Sequence, residues 1–364
     1  MMCRRRRSVP CNGNLTRSTP VDSHEIHVAT VAHRTRIGRV RYSSPIETTV
    51  GGPMAEEWTD ERLRGVFEAV KNWGRWGEDD QRGTLNLITP DKVRAAAQSV
   101  IAGESVSCSL PLAVLPSPEN PFPAMHMMVR AGDDCVSPSS GMEATGDFVG
   151  VSFHGMATSH IDALCHVLFE GKMYNGFSKD EVKSTGARKG SIMCASDGIV
   201  TRGVVLDIPR TLGVDWLEPG AAITIDQLES AEAMQDVRVS EGDALLVATG
   251  RDARRRALGP WDPRGVGLPG LHVECLEWLH ERGVSVLGAD AVHDPMPNTI
   301  VEGWGLPIHQ VTLVAMGLHL LDNLRLDRLT DACARHGRWH FQFTVAPLHV
   351  EGGTGSPVNA IAVL

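Results

Sequence analysis

Apolar positions recur at helical spacing at Leu63, Val66, Phe67 and Val70, just after Thr59 and Asp60, whose side chains suit a helix start. This predicts a surface helix over residues 59–70 and a second over 90–101, separated by a turn-rich segment, 72–86, that carries Trp73 and Trp76. Residues 104–153 alternate short strand-like runs with Pro116, Pro118, Pro121 and Pro123, the pattern of strands joined by long loops. Beyond them, 203–208, 243–250, 284–289, 341–345 and 360–364 are nearly continuous apolar runs, which read as buried strands. Helical patterning falls between some of them: 225–234 after Thr224, 272–281 after Pro269-Gly270, and 310–316, stopped by Gly317 ahead of a further strand at 318–324. Strands and helices mixed in this way predict an α/β fold, with no internal repeat and one domain over residues 54–364.

Composition narrows the class further. With 42% hydrophobic and 22% charged residues the chain matches an ordinary soluble globular protein, and no apolar run approaches the ~20 residues of a membrane-spanning helix. The eight cysteines, at 3, 11, 108, 135, 165, 194, 275 and 333, form no Cys-x-x-Cys pair, so reduced thiols in a cytoplasmic setting are expected. Residues 1–53 hold nine arginines against Asp22, Glu25 and Glu47, a net +6, while the whole chain is −9, so residues 54–364 carry −15. That acidity argues against nucleic acid as a partner. The first 53 residues, opening on Arg4-Arg5-Arg6-Arg7, show no sustained apolar periodicity and lack the apolar core of a secretory signal. They read as an unpacked leader, of organellar type or otherwise, or as sequence upstream of a true start at Met54.

The densest chemistry lies in Phe153-His154-Gly155-Met156-Ala157-Thr158-Ser159-His160-Ile161-Asp162-Ala163-Leu164-Cys165-His166, with three imidazoles and a carboxylate in fourteen residues. If 158–162 run extended, His160 and Asp162 share a face, and His154 and His166 share their parity. A mixed nitrogen and oxygen set suits Zn²⁺, Mn²⁺ or Fe²⁺ better than Ca²⁺ or Mg²⁺. Asp290, His293 and Asp294 follow a buried strand, where loops often carry active sites. His309 falls at a helix start, whose positive end is expected to lower its pKa and fit it to accept a proton. Asp322 interrupts an apolar strand and needs a cation beside it, a metal or an arginine such as Arg325 or Arg328. Trp73 and Trp76 either wall a pocket for a flat substrate or anchor their loop to the core. No Gly-x-Ser-x-Gly elbow and no Gly-x-Gly-x-x-Gly fingerprint occur, and the glycine-rich 351–357 segment lacks the Lys of a P-loop, which disfavours serine hydrolases and nucleotide enzymes.

In order and spacing, these segments resemble the metal-dependent hydrolases of the cyclase family, relatives of bacterial kynurenine formamidase and isatin hydrolase. That family carries His-x-Gly-Thr-His-x-Asp-x-Pro-x-His, and residues 158–166 match its second half. Supporting matches are 72–86, 202–207, 242–247, 288–290, and 346–348 with the closing glycine-rich loop, so the resemblance runs from about Trp73 to the C-terminus. It implies a single α/β domain of swivelling β/β/α type with a mixed sheet core and surrounding helices. It also implies a homodimer or tetramer that uses one or two divalent ions, Zn or Mn, to add water to a small-molecule amide. By the same resemblance His160 and Asp162 are metal ligands, His166 ligates a second ion or carries a proton, and His309 matches the histidine before the family's late acidic residue, here Asp322.

Two positions depart from the family pattern. Its leading His falls at Met156, a soft thioether poorly matched to Zn²⁺ or Mn²⁺, so His154 is expected to take its place. Asp322 stands where the family usually has Glu. The expected function is hydrolysis of a small amide or cyclic amide by a metal-activated water. His154, His160, Asp162 and Asp322 would be ligands, His166 and His309 would move protons, and Trp73, Trp76, Asp290 and His293 would bind substrate. Lactone or ester hydrolysis, dehydrative ring closure and a non-catalytic small-molecule-binding relative remain alternatives.

Overall fold

The apolar runs at the centre of the chain pair with one another as parallel strands, and the sheet is built outward from them. In the computed structural model, which describes residues 57–134 and 141–364, nine strands form one mixed sheet. They are β1 (Ser105–Ser107), β2 (His160–Asp162), β3 (Ile199–Asp207), β4 (Ala244–Ala248), β5 (Val286–Ala289), β6 (His319–Asp322), β7 (His340–Val345), β8 (Gly355–Pro357) and β9 (Ile361–Val363). Their order is β1-β9-β7-β3-β4-β5-β6-β2-β8, parallel from β3 through β6 and antiparallel at both flanks. Readings of the leader and of a start at Met54 lie outside the described residues, as does Cys135.

Parallel strands covered on both faces need apolar side chains at every position, which is why these runs do not alternate. Leu206, Leu245, Leu287 and Leu320 face one core, shared with Leu63 and Phe67 from the first helix. Val205, Leu246, Val286 and Leu321 face the other, shared with Phe341 and Phe343. At the flank, β7 does alternate, burying Phe341, Phe343 and Val345 while His340, Gln342 and Thr344 stay half-exposed.

Helix α1 (Asp60–Ala69) starts where its cap is: the Thr59 hydroxyl accepts from Arg62 N at 3.2 Å. Helix α2 (Pro90–Gln98) is capped by Thr89 and stops short of the expected 101, and α3 (Ile225–Met234) carries a Thr224/Gln227 capping box. Helix α4 (Arg251–Leu258) escaped the periodicity because it buries only Arg251 and Asp252, so no apolar stripe marks it. Helix α5 (Cys275–Glu281) begins later than the expected 272, since Gly270–Leu271 pairs with Ala222–Ile223 and His272 N donates to Ile223 O at 2.8 Å. The segment read as an ordinary helix at 310–316 is a π-helix, Gln310–Met316, entered through the single turn α6 (Pro307–His309) and buried from Val311 to Met316. A last helix, α7 (Asp327–His336), covers Leu329, Ala332 and Cys333 and was not foreseen. Among the described residues no helix is long and apolar enough to cross a membrane.

Gly317 ends the π-helix at φ 68°, and its carbonyl takes hydrogen bonds from Thr84 N (2.9 Å) and Thr84 Oγ1 (3.2 Å). A Cβ there would run into the Tyr174 ring. Gly317→Ala therefore combines left-handed strain with a core clash and should lower unfolding free energy by about 2–4 kcal/mol, read as a lower denaturant midpoint.

Candidate metal centre

Strand β2 is three residues long and is wedged between β6 and β8. His160 stands opposite Asp322 of β6 and Pro357 of β8, and Asp162 opposite Gly355. The pleat turns His160 and Asp162 to one face and Ile161 to the core behind. Both site side chains are buried: 2% of His160 and 1% of Asp162 remain exposed.

Two groups of ligand atoms meet on Asp162, each with its atoms within 4.8 Å of one another: His154, His160 and Asp162, and Asp162, His309 and Asp322. Asp162 Oδ1 lies 3.0 Å from His154 Nδ1, 3.4 Å from His160 Nε2 and 3.9 Å from His166 Nε2. Asp162 Oδ2 lies 3.8 Å from His309 Nε2, which is 3.5 Å from Asp322 Oδ2. Neither oxygen of Asp162, nor His154 Nδ1, nor Asp322 Oδ1, has a hydrogen-bond partner. Two buried polar atoms 3.0 Å apart that do not bond each other are arranged as co-ligands are, and leaving them unpaired would be costly. Three nitrogens and two carboxylates fit a borderline divalent ion and offer no soft sulfur.

Outer contacts fix which nitrogen each imidazole presents. His160 Nδ1 donates to Thr158 O at 2.8 Å, which leaves Nε2 free. His309 Nδ1 donates to Asp294 Oδ2 at 2.6 Å, and His154 Nε2 contacts Thr354 Oγ1 at 3.0 Å, which leaves Nδ1 toward Asp162. Gly355 completes this arrangement, because a Cβ there would sit 2.9 Å from His154 Cε1 and 2.5 Å from Ile161 O.

Charge follows the same geometry. Burial opposes ionisation of Asp162, but His154, His160 and His166 more than offset it and hold its carboxyl well below the usual range. Burial likewise opposes the charge of Asp322, which His293 and His309 pull down. Burial disfavours charge on His160, yet Asp162 and Asp322 raise its pKa. The raised pKa values of His160 and His309 mirror the lowered ones of Asp162 and Asp322, so the cluster favours positive charge beside its carboxylates. His166, stacked on His154 with ring centroids 3.6 Å apart, is pushed down by burial to about 4 and is neutral at physiological pH.

Several residues sit differently from expectation. The pKa of His309 is raised, not lowered: burial opposes its charge, but Asp294 and Asp322 overcome it. The helix start acts on Asp294 instead, which accepts from Ile308 N (2.7 Å) and His309 N (3.2 Å). His309 thus faces the cluster as a ligand candidate. Asp290 takes no part, because its oxygens accept from Thr249 N, Gly250 N and Arg251 N at 2.8, 3.1 and 3.3 Å and cap α4. His293 lies 1% exposed behind Asp322, 3.2 Å from Oδ1, rather than toward a substrate. Trp73 donates to Val314 O at 2.7 Å and packs on Phe67, anchoring its loop, and Trp76 carries the Arg75 guanidinium over its ring. Asp322 is approached by His293 and His309, not by Arg325, whose guanidinium pairs with Asp327. A cavity of about 40 Å³ beside His154 is lined instead by Phe122, Phe153, Met156 and Arg264. Asp294 could be suspected from its place after β5, but no local motif marks Thr354 or Phe122.

Met156 packs toward Trp261, Leu268 and Val292. Adding Met156→His to His154→Ala is therefore expected to leave metal affinity at the His154→Ala level. Recovery of wild-type affinity in a chelator-competition titration would contradict this geometry.

The model of the Cyclase family matches residues 83–293, more than half of the chain. A crystal structure described as a novel cyclase is 30% identical, covers 82% of this chain and 99% of its own, and superposes with a TM-score of 0.73. The kynurenine formamidase of Bacillus cereus (strain ATCC 10987 / NRS 248) is 30% identical over 95 residues, 26% of this chain, and the match spans only 39% of that relative. Isatin hydrolase A from Labrenzia aggregata, 20% identical over 73% of this chain and 94% of its own, shares the fold at a TM-score of 0.51. The matched stretch includes β2 through β5, so the strand that carries His160 and Asp162 lies inside it, and this chain belongs to the Cyclase family.

Proposed function

We propose that the protein is a divalent-metal-dependent hydrolase of a small amide or cyclic amide. The observation that carries this reading is Asp162, a buried carboxylate with both oxygens unpartnered and one group of ligand atoms on each side. His154, His160 and Asp162 would hold one ion, and Asp162, His309 and Asp322 a second, with Zn²⁺ or Mn²⁺ matching the donors. When bound, such an ion supplies Lewis acidity toward a carbonyl and acidifies water. His166, neutral and 30% exposed, has a nitrogen open to accept the proton of the attacking water and return it to the leaving nitrogen. Asp294 keeps His309 oriented, and Phe122 and Phe153 border the approach. The similarity to a formamidase supports a carbon–nitrogen bond as the target.

A homo-oligomer, dimer or tetramer, belongs to the same proposal. Strands Met125–Arg130 and Gly146–Gly150 pair as a separate hairpin with Met127, Val129 and Phe148 exposed, and a lone two-stranded hairpin is marginal in water without cover. Free thiols at Cys108, Cys165, Cys194, Cys275 and Cys333 support a cytoplasmic setting.

Elemental analysis of protein purified without chelators or a metal-binding tag should find one to two equivalents of Zn or Mn. His160→Ala should weaken metal binding by more than the about 100-fold that an outer-shell loss costs and abolish turnover of N-formyl and cyclic amides. A variant with full activity, or a wild-type chain that binds ligands but turns over neither amides nor lactones after reconstitution, overturns the reading. Light scattering at micromolar concentration should give at least twice the chain mass, and a monomer would remove the oligomer from it.

A further inference from the structure

His154 reaches Asp162 only because residues 153–159 leave the line of β2, and two buried side chains outside the ligand groups hold that departure. Asn323, adjacent to Asp322 and in the left-handed region at φ 54°, donates from Nδ2 to Gly155 O at 2.7 Å and Thr158 O at 3.2 Å. Its Oδ1 accepts from Arg251 Nη1 at 2.6 Å, which fixes the direction in which the amide faces. Arg251, 2% exposed, donates from Nη2 to Met156 O at 2.5 Å and to Glu119 Oε2 at 2.9 Å. Three carbonyls of the loop thus end on one bracket. Thr158 O belongs to both systems, because it also takes the His160 Nδ1 proton at 2.8 Å.

The bracket has a directional consequence. With the carbonyls of Gly155 and Met156 turned toward Asn323 and Arg251, Met156 packs on Trp261, Leu268 and Val292, and His154 presents Nδ1 to Asp162. Stability is a poor account of such a device, since a buried ion pair such as Arg251–Glu119 adds little over apolar residues of the same volume. A planar guanidinium can serve an amide oxygen, a carbonyl and a carboxylate at fixed angles, which an ammonium cannot.

We propose that Arg251 and Asn323 are positioning residues that seat His154 as a metal ligand in place of the family histidine lost at Met156. The inference rests on the metal-centre reading above, and neither residue belongs to the ligand groups.

The test is a double-mutant cycle read by Co²⁺ binding to the metal-free full chain, using His154→Ala, Asn323→Gly, Arg251→Lys and the two pairings with His154→Ala. Glycine removes the amide without left-handed strain, and lysine keeps a cation beside Glu119. Each positioning variant should bind Co²⁺ about 10- to 100-fold more weakly and shift its visible absorption toward that of His154→Ala. In the His154→Ala background neither should weaken binding further. Additive losses, or unchanged affinity with only a lower melting temperature, would mean a merely structural role and overturn the proposal. An effect of Asn323→Gly alone sustains it if Arg251→Lys does not fold. Wild-type binding with no effect of His154→Ala sinks this inference and leaves an ion at His160 and Asp162 intact. No Co²⁺ binding by the wild type sinks both.

Discussion

A carboxylate enclosed among imidazoles, with 1% of its side chain exposed and no donor of its own, is the constraint around which this structure is arranged. Removing Asp162 from water costs several kcal/mol unless positive charge is brought to it. The chain surrounds it with imidazoles, His154 and His160 at β2 and His309 from the single turn α6, and the pKa values of His160 and His309 are raised. Each then needs its own holder, which explains why Thr158, Asp294 and Thr354 are tied to ring nitrogens. Charge balance at one oxygen pair thereby reaches into the loop 153–159, the start of the π-helix and the glycine-rich closing loop.

Much of the scaffold is readable from residue pattern because burial on both faces demands it. Runs such as Ala244–Ala248 and Val286–Ala289 have no polar position to give up, and the capping residues Thr59, Thr89 and Thr224 mark helix starts by chemistry that acts within four residues. Helix α4 was hidden because tertiary partners, the Asp290 carboxylate at its N-terminus and Glu119 against Arg251 and Arg255, support it in place of an apolar stripe. The π-helix was hidden for a related reason, since its wider turns depend on burial from Val311 to Met316 and not on a local signal.

The site divides along the same line. His160 and Asp162 lie two apart on a strand, so their cooperation is written in sequence spacing. The reach of His154 is not, because it depends on a bend, on Gly355 across the sheet and on carbonyls held by Asn323 and Arg251. His309 shows how local reasoning can invert a sign: a helix start lowers the pKa of an imidazole that faces it, but Asp294 takes the helix N–H groups and turns its own charge toward the ring. Trp73 and Trp76 drew attention through size alone, and size serves an anchor as well as a pocket.

Strand β2 has neighbours only from late in the chain, β6 at His319–Asp322 and β8 at Gly355–Pro357. A ribosome releases the chain from its N-terminus, so His160 and Asp162 emerge long before the strands that give them a register. Thr354, which orients His154, and Gly355, which makes room for it, come later in the chain than β6. The nascent chain thus carries His154, His160 and Asp162 well before the neighbours that arrange them, and any ion held there would find its ligands in register only once β8 has paired with β2.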